Sequence, residues 1–314
     1  MPPTESSAPA MSTSIALADA CARVDSILLG KSHAVKLAMA CLLARGHLLI
    51  EDLPGMGKTV LAHTLAKVLG LDFNRVQFTN DMLPGDLTGA AIFVRDQGAF
   101  VFHPGPLFTQ LLLADEINRA SPKTQSALLE AMEERQVSND GISRALPNPF
   151  FVIATQNPVD QLSTNPLPEA QLDRFLMRIS LGYPDAAAEL EVLRGEDRRE
   201  LLEKLPPGLD TAALLALQQA ARATHAGEPL LAYVRALAEH TRHAAGLAYG
   251  LSPRGALALL AAGRAWALLA GRDHVLPADI QAVFPAVAVH RLGIGDVRQS
   301  AAGAAALLDA VPLP

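Results

Sequence analysis

The sequence Glu51-Asp52-Leu53-Pro54-Gly55-Met56-Gly57-Lys58-Thr59 is the most informative segment of this chain. An apolar run over residues 47–50 precedes it, and a pattern typical of a helix follows over residues 60–69. A strand, a glycine-rich turn and a helix that opens on Lys-Thr form the context of a phosphate-binding loop. The backbone N–H groups of such a loop and the positive end of the helix dipole favour a polyphosphate ligand.

Two side chains of this loop have expected roles. Lys58 is expected to reach the β- and γ-phosphates of ATP, and the Thr59 hydroxyl to help hold Mg²⁺. The predicted nucleotide-binding residues are Pro54, Gly55, Met56, Gly57, Lys58, Thr59 and Val60. Asp52 departs from the strict pattern G-x-x-x-x-G-K-[ST], in which its position is a glycine, although Asp tolerates a left-handed backbone better than most residues. The alternative interpretation is an ordinary strand, turn and helix in which the glycines occur by chance.

Length and composition limit the class of protein. With 314 residues, half of them hydrophobic, the chain is expected to form two domains with sizeable cores. A net charge of −6 and a pI near 5.8 argue against a broadly basic nucleic-acid surface, while a local basic channel stays open. Cys21 and Cys41 show no metal-ligand spacing, which predicts reduced core thiols in a cytosolic protein.

Neither terminus nor any internal run predicts a membrane protein. Residues 1–14 are rich in Pro, Ser and Thr, and this composition predicts a disordered tail rather than a signal peptide. The richest apolar run, residues 256–270, is interrupted by Gly263 and Arg264, so no span is expected. A cytoplasmic protein is the default expectation.

The second chemical motif is Leu111-Leu112-Leu113-Ala114-Asp115-Glu116. An apolar run that ends in two carboxylates predicts a buried parallel strand that delivers acids at its carboxyl edge, where open α/β sheets bind ligands. We expect Asp115 to bind Mg²⁺ through water and Glu116 to polarise the attacking water. An apolar strand that ends in two acids is common, and by itself it would be interpreted as a capped strand end without a catalytic role. After a phosphate-binding loop, the paired interpretation is favoured.

Another buried strand, residues 150–155, ends in Gln156-Asn157-Pro158. The Asn157 amide is a candidate to hydrogen-bond the γ-phosphate or the water, with turn chemistry before Pro158 as the alternative.

The remaining pattern predicts further elements around these motifs. These are a strand at 73–78, hairpins at 91–102 and 136–146, helices at 15–28, 34–43 and 122–134, and Ala/Leu-rich helices at 186–199, 211–226, 230–245, 253–270 and 277–290. The composition changes at Gly182-Tyr183-Pro184, after which only helices are expected.

Taken together, these motifs resemble the MoxR-type AAA+ ATPases from about residue 15 to near the C-terminus. The resemblance is carried by the loop at 51–59 and by the segments at 102–108, 113–120, 154–158 and 167–175. It implies an α/β fold, in which a P-loop AAA+ core at 15–183 has a five-stranded parallel sheet and two β-hairpin insertions. An all-α helical lid at 184–314 follows. It also implies assembly as a ring, usually a hexamer, with ATP between subunits.

The same resemblance implies roles for single residues. Asn157 matches sensor 1, and Arg174 lies in the arginine-finger segment, with Arg178 as runner-up. Arg254, at the start of a lid helix, matches sensor 2 and is expected to reach the γ-phosphate from the lid; an ordinary arginine in a first helical turn is the alternative. Asn165 replaces an aromatic residue common in the family and bears at most on local packing.

The implied function is an ATP-hydrolysing machine that changes the conformation or assembly of another protein. Resemblance alone suggests clients with von Willebrand factor A domains and roles in maturing metal- or cofactor-dependent enzyme complexes. A metal-chelatase ATPase subunit or a nucleic-acid motor is the first alternative, and the acidic pI disfavours the motor. A nucleotide-gated scaffold without useful turnover is the second, and Lys58, Asp115, Glu116 and Arg174 argue against it.

Overall fold

The computed structural model describes residues 8–139, 141–158, 164–195, 198–206, 208–244, 247, 249–293 and 297–313. The core elements are α1 (Ala8–Ile27), α2 (Ser32–Leu43), β1 (Leu48–Glu51), α3 (Lys58–Val68), β2 (Phe73–Gln77), α4 (Pro84–Thr88), β3 (Gly89–Val94), β4 (Ala99–Pro104), β5 (Leu111–Asp115), α5 (Pro122–Glu134), β6 (Gln136–Asn139), β7 (Ile142–Ala145), β8 (Phe151–Gln156), α6 (Glu169–Leu172) and β9 (Met177–Ile179). The helical part holds α7 (Ala186–Arg194), α8 (Arg198–Lys204), α9 (Thr211–Ala223), α10 (Glu228–His243), α11 (Pro253–Leu269), α12 (Pro277–Ala288) and α13 (Val297–Asp309).

A five-stranded sheet in the order β2-β5-β8-β1-β9 forms the centre, and all of its strands are parallel. This confirms the predicted fold class. The last strand, β9, was implied only by the resemblance, because its three residues are too few for a pattern.

Each central strand contributes to two hydrophobic layers, because successive side chains point to opposite faces of a sheet. In β5, Leu111 and Leu113 join the layer that contains α2 and α3, whereas Leu112 and Ala114 join the layer that contains α5. The sheet is therefore covered on both faces, as a parallel sheet requires. The carboxyl ends of its strands form one edge and the amino ends the other.

Both predicted hairpins are present as separate two-stranded antiparallel sheets, β3 with β4 and β6 with β7. Gly98 takes a left-handed conformation at the end of the first turn. Asp140, predicted in the second turn, lies outside the described residues. Phe93 and Phe100 pair edge to face on the first hairpin and are both exposed.

The amino-terminal prediction needs a correction. Helix α1 begins at Ala8, so the tail predicted as disordered over residues 1–14 is helical from that point, and residues 1–7 lie outside the described part of the chain. Ala8, Ala10 and Met11 favour a helix, and Pro9 is tolerated in its first turn. The Pro and Ser content therefore gave the wrong prediction for these residues.

The helical part follows the prediction with two differences. The helix predicted over 186–199 is two helices, α7 and α8, and α13 was not predicted. Residues of α10, α11 and α12 share one hydrophobic layer with α1 and α2, so this part packs directly on the core. The exact domain boundary at residues 183 and 184 stays a prediction. Among the described residues, no helix is long and apolar enough to cross a membrane.

Candidate active site

The phosphate-binding loop has the backbone that its glycines predict. Gly55 and Gly57 have φ angles of 83° and 95°, a region that side chains with a Cβ rarely adopt. Helix α3 begins directly after Gly57, at Lys58. A Cβ placed on Gly55 would meet no atom within 4 Å, so the space in front of this glycine is open. The loop thus fits a polyphosphate at a helix N-terminus.

Lys58 folds back onto the main chain at the carboxyl edge of the sheet. Its Nζ donates hydrogen bonds to the main-chain oxygens of Asp52, at 2.7 Å, and of Gln156, at 3.4 Å. Burial lowers the pKa of Lys58, and the nearby carboxylates of Asp115, Asp52 and Glu116 partly oppose that shift. A bound phosphate would add negative charge next to this amine and so favour its protonated form.

Asp52, the departure from the motif, is a structural tie. Its Oδ2 accepts hydrogen bonds from the N–H groups of Leu181 and Gly182, both at 2.7 Å, and from the Ser180 hydroxyl at 3.0 Å. Its φ is not positive, so the left-handed conformation considered for this position does not occur. The carboxylate instead fastens the loop to the segment that follows β9.

Asp115 lies buried at the end of β5. One carboxylate oxygen accepts a hydrogen bond from the Thr155 hydroxyl at 2.6 Å, and the other lies 2.7 Å from Nη2 of Arg75. The arrangement places a half-exposed guanidinium directly beside a buried carboxylate.

Glu116 follows with a left-handed backbone, at a φ of 57°. Its N–H donates to the Thr155 hydroxyl at 2.9 Å. Its Oε2 accepts hydrogen bonds from Gln77 Nε2 at 2.8 Å and from Arg119 Nη1 at 2.9 Å. A positive φ is costly for a residue with a Cβ, and such outliers cluster at functional sites. Asn157 follows β8 at the same edge.

Magnesium would find a partial set of ligands here. Asp115 and Thr59 offer oxygen atoms, the ligand type that Mg²⁺ prefers. Within the described ranges, no group of three or more His, Cys, Asp or Glu side chains could hold a metal ion. The residues present therefore fit an ion that takes its remaining ligands from phosphates and water, as Mg²⁺ does in nucleotide sites.

Sequence reasoning missed Arg75, Gln77 and Thr155. Arg75 and Gln77 lie two residues apart on β2, so their side chains share one face, and Gln77 lies opposite Asp115 in the strand pairing. The sequence signal for them is a pair of long polar side chains two residues apart on β2, the strand next to β5. Recognising that signal requires knowing that β2 and β5 are neighbours in the sheet. Thr155 belonged to an apolar run and had no distinguishing signal.

Arg174 and Arg254 lie close to each other beside Glu133, away from the phosphate-binding loop. Glu133, at the end of α5, is 3.2 Å from a guanidinium nitrogen of each arginine. Arg254 also lies 3.8 Å from Asp173, which Arg291 of the helical part binds at 2.6 Å. These side chains line a cavity of about 250 Å³.

This cavity is at the amino edge of the sheet. The Leu176 N–H donates to the His47 main-chain oxygen at 2.9 Å, and Met177 pairs with Leu48, the first residue of β1. The phosphate-binding loop follows the last residue of β1. At about 3.3 Å per residue, the four residues of β1 separate the two edges by about 10 Å.

Arg254, which is expected to reach the γ-phosphate from the lid, lies in this structure at the edge away from the loop of its own chain, and its contact with a γ-phosphate stays a prediction. Helix α11 starts beside α5 and residue 173, which places its first arginine on the side away from the loop. Arg178, the second finger candidate, lies within β9 with its guanidinium 3.1 Å from Glu51. Asn165 bonds to the main chain of Asn118 and Ala120, which is a local packing role.

Comparisons with known proteins agree with this geometry. Residues 47–177 match the ATPase family associated with various cellular activities (AAA), and residues 239–310 match the AAA lid domain. The chain is 45% identical to the uncharacterized protein YeaC of Bacillus subtilis, over 88% of this chain and 86% of that protein. It is 41% identical to chaperone MoxR1 of Mycobacterium tuberculosis, over 86% of this chain and 73% of that protein. A crystal structure from Cytophaga hutchinsonii, described as that of an ATPase, aligns with a TM-score of 0.87 at 35% identity over 97% of each chain.

Proposed function

We propose that this chain, which belongs to the MoxR-type AAA+ ATPases and hydrolyses ATP, remodels client proteins by using ATP that is hydrolysed between two copies of the chain. The observation that carries the proposal is the separation of two half-sites. The loop and its acids lie at one edge of the sheet, whereas Arg174 and Arg254 lie together at the other. Each half-site lacks what the other provides.

At the carboxyl edge, the loop N–H groups and Lys58 bind the phosphates. Glu116 orients the attacking water and accepts its proton, and Asn157 hydrogen-bonds the water or the γ-phosphate. Thr59 and Asp115 are the side chains that hold Mg²⁺, which neutralises phosphate charge when bound. The Thr155 hydroxyl donates a hydrogen bond to Asp115 and Gln77 donates one to Glu116, so these two side chains orient the carboxylates at this edge.

At the amino edge, Arg174 and Arg254 supply positive charge to the nucleotide of a neighbouring copy. Charge develops on the transferred phosphoryl group, and an arginine supplied from another chain stabilises it. Glu133 holds both guanidinium groups until a phosphate replaces it as their partner. A closed ring, which we propose to be a hexamer, gives every loop such a neighbour.

For the client, we propose a protein with a von Willebrand factor A domain, in line with the family resemblance. The exposed Phe93 and Phe100 on the first hairpin and the exposed Ile142 on the second offer apolar contact surface for such a client. A relative at 41% identity is named a chaperone. The cysteines Cys21 and Cys41 are both unpaired, which supports a reducing compartment such as the cytoplasm.

Capture of clients by a hydrolysis-dead variant tests this function. Glu116→Gln with Mg·ATP is expected to retain a von Willebrand factor A domain protein from its own cell extract. Lys58→Ala is the matched control, because it is expected to lose nucleotide and release the client. Recovery of the same proteins on both variants, or of none with such a domain, would contradict the proposed client class.

A further inference from the structure

Helix α7 presents an unpaired apolar stripe. None of the residues of this helix is buried, and Leu190 and Leu193 are 44% and 78% exposed. Ala188 faces the core, since a Cβ on Gly30 would meet the Ala188 Cβ at 2.7 Å. At 100° per residue, Leu190 and Leu193 lie on the side of the helix opposite Ala188. Two large apolar side chains thus point away from the molecule.

The helix starts beside the phosphate-binding loop. Asp52, in that loop, binds the N–H groups of Leu181 and Gly182, and α7 begins four residues later at Ala186. Asp185 caps the helix by accepting a hydrogen bond from the Ala188 N–H at 2.8 Å. The position of α7 relative to the phosphate-binding loop is therefore fixed through a short, hydrogen-bonded connection.

A groove of matching character lies at the other end of α2 from this helix, because α7 contacts Gly30, just before α2, whereas Leu43, the last residue of α2, lines the groove. It has a volume of about 270 Å³ between α2, α9 and α11. The residues that give it its character are Leu43, Leu257, Leu260, Arg45, Arg222 and Arg264. Its lining, as recorded over the described residues, contains three arginines and no carboxylate.

Two buried polar atoms of this groove are unsatisfied. Arg264 Nε and Gln218 Oε1 have no hydrogen-bond partner among the described residues. Leu257, at its rim, is 68% exposed. A buried donor without a partner is costly, so the groove fits an occupant that brings apolar side chains and at least one acceptor.

The groove is continuous with the arginine half-site. Arg45 lines both the groove and the cavity that holds Arg174 and Arg254. Whatever brings another copy's phosphate-binding loop to these arginines also brings the helix that starts beside that loop.

We propose that the Leu190 and Leu193 stripe of α7 in one copy docks into the arginine-lined groove of the next copy. Glu189 flanks Leu193 on the helix and supplies the carboxylate that the groove lacks. The inference rests on the proposed function in one respect, because that function brings the two half-sites of neighbouring copies together. The contact itself is a separate surface that holds the copies in register.

Cross-linking between copies tests the contact. The chain for this experiment carries Cys21→Ser, since the other native thiol, Cys41, is fully buried. Leu193→Cys and Leu257→Cys are added together, both at exposed positions, and a short bis-maleimide linker is applied with Mg·ATP present. Covalent multimers beyond the dimer are expected, because each copy offers one thiol to each neighbour. The matched control joins Leu193→Cys with Ile92→Cys on the hairpin, and the same yield of multimers in the control would overturn the proposal.

A second variant tests the energetic contribution of the stripe. Leu193→Ser removes the burial of a leucine without adding a charge that the arginines could bind, and it is expected to raise the concentration for half-maximal assembly about tenfold or more. Unchanged assembly would overturn the docking of α7. A mixture of Arg174→Ala chains with Lys58→Ala chains can combine an intact loop of one copy with the intact arginines of the next. If this mixture regains ATPase activity while no cross-link forms, the docking is wrong and the shared site stands. If the cross-link forms without regained activity, the docking stands and the shared site is wrong.

Discussion

Arg254 of the helical part and Arg174 of the core bind the same carboxylate, that of Glu133, each at 3.2 Å. Two guanidinium groups so close together repel each other unless an anion lies between them. Glu133 provides that anion in the structure, and a γ-phosphate is a stronger one. The pair is therefore suited to receive a phosphate as a unit, and neither arginine reaches the loop of its own chain.

Complementation between variants tests this arrangement. Arg174→Ala is expected to bind ATP normally and to lose turnover by about a thousandfold, the lower range for an arginine finger. Lys58→Ala is expected to lose ATP binding. A mixture of the two is expected to regain part of the activity, because an intact loop then faces intact arginines. ATPase rates across mixing ratios measure this, and no gain despite demonstrated co-assembly would contradict a shared site.

A mixture of Arg174→Ala chains with Arg254→Ala chains distinguishes whether Arg254 acts on the nucleotide of a neighbouring copy or on the nucleotide of its own chain. If both arginines of one chain act on the same neighbouring nucleotide, every interface in the mixture lacks one of them, and no activity returns. If Arg254 acted on its own nucleotide, some interfaces would be complete and activity would return. We expect no recovery.

A substitution at the carboxyl edge is expected to abolish ATP hydrolysis without abolishing ATP binding. Glu116→Gln keeps the shape and the contact with Gln77 but removes the base that activates water, so Mg·ATP binding persists while hydrolysis falls by orders of magnitude. Titration with a fluorescent nucleotide and a single-turnover assay measure the two quantities. A normal rate for Glu116→Gln would show that another group activates the water.

Arg75 is expected to compete with magnesium for Asp115. Its guanidinium lies 2.7 Å from the carboxylate and is half exposed, so the pair is worth at most about 1 kcal/mol. Arg75→Gln should lower the Mg²⁺ concentration for half-maximal ATPase activity by up to about fivefold. Arg95→Gln, in the exposed hairpin turn, is the matched control. A higher Mg²⁺ requirement would show that Arg75 supports the site instead.

The parts of this protein that sequence predicts best are those that local chemistry determines. The two loop glycines need a positive φ, and the apolar run before Asp115 needs to be buried between two strands. Both constraints act within a few residues, so the motif contains them. The caps of α5 and α11 are local in the same way, because the Ser121 and Ser252 side chains accept hydrogen bonds from the N–H groups three residues later.

What sequence did not predict depends on contacts between distant segments. The edge at which Arg254 lies is set by how α11 meets Glu133 and Asp173, which are more than 80 residues away along the chain. The partner of Asp52 follows β9, a strand too short to show a pattern. Neither relationship leaves a local signal.

Stability is expected to fall in mild acid because of His47. This fully buried ring accepts from the Val152 N–H at 3.0 Å and lies 3.2 Å from the Met132 main-chain oxygen, so it is neutral with one proton. Burial lowers the pKa of His47 from 6.5 to about 4. The unfolded chain then binds more protons between these values, and roughly 3 kcal/mol of stability present above pH 6.5 is lost as the pH falls to about 4.

Urea denaturation at pH 7 and pH 5 measures this loss. His47→Gln is expected to be less stable at pH 7 but to depend less on pH, whereas His103→Gln, at an exposed position, keeps the original dependence. Some dependence should persist in His47→Gln, because burial also lowers the pKa of His290. An unchanged pH dependence in His47→Gln would assign the effect to other groups.

The last prediction concerns Asp52, where the motif has a glycine. Asp52→Gly restores the strict motif, yet it removes the acceptor of the Leu181 and Gly182 N–H groups. Leaving such donors unsatisfied is expected to cost about 2 to 4 kcal/mol. The loop would also lose its tie to the segment that leads into α7. We therefore expect Asp52→Gly to be less stable in urea and to bind ATP no more tightly than the native chain, with Asp96→Gly in the exposed hairpin turn as control. Tighter ATP binding by Asp52→Gly at unchanged stability would show that the aspartate hinders the loop rather than supporting it.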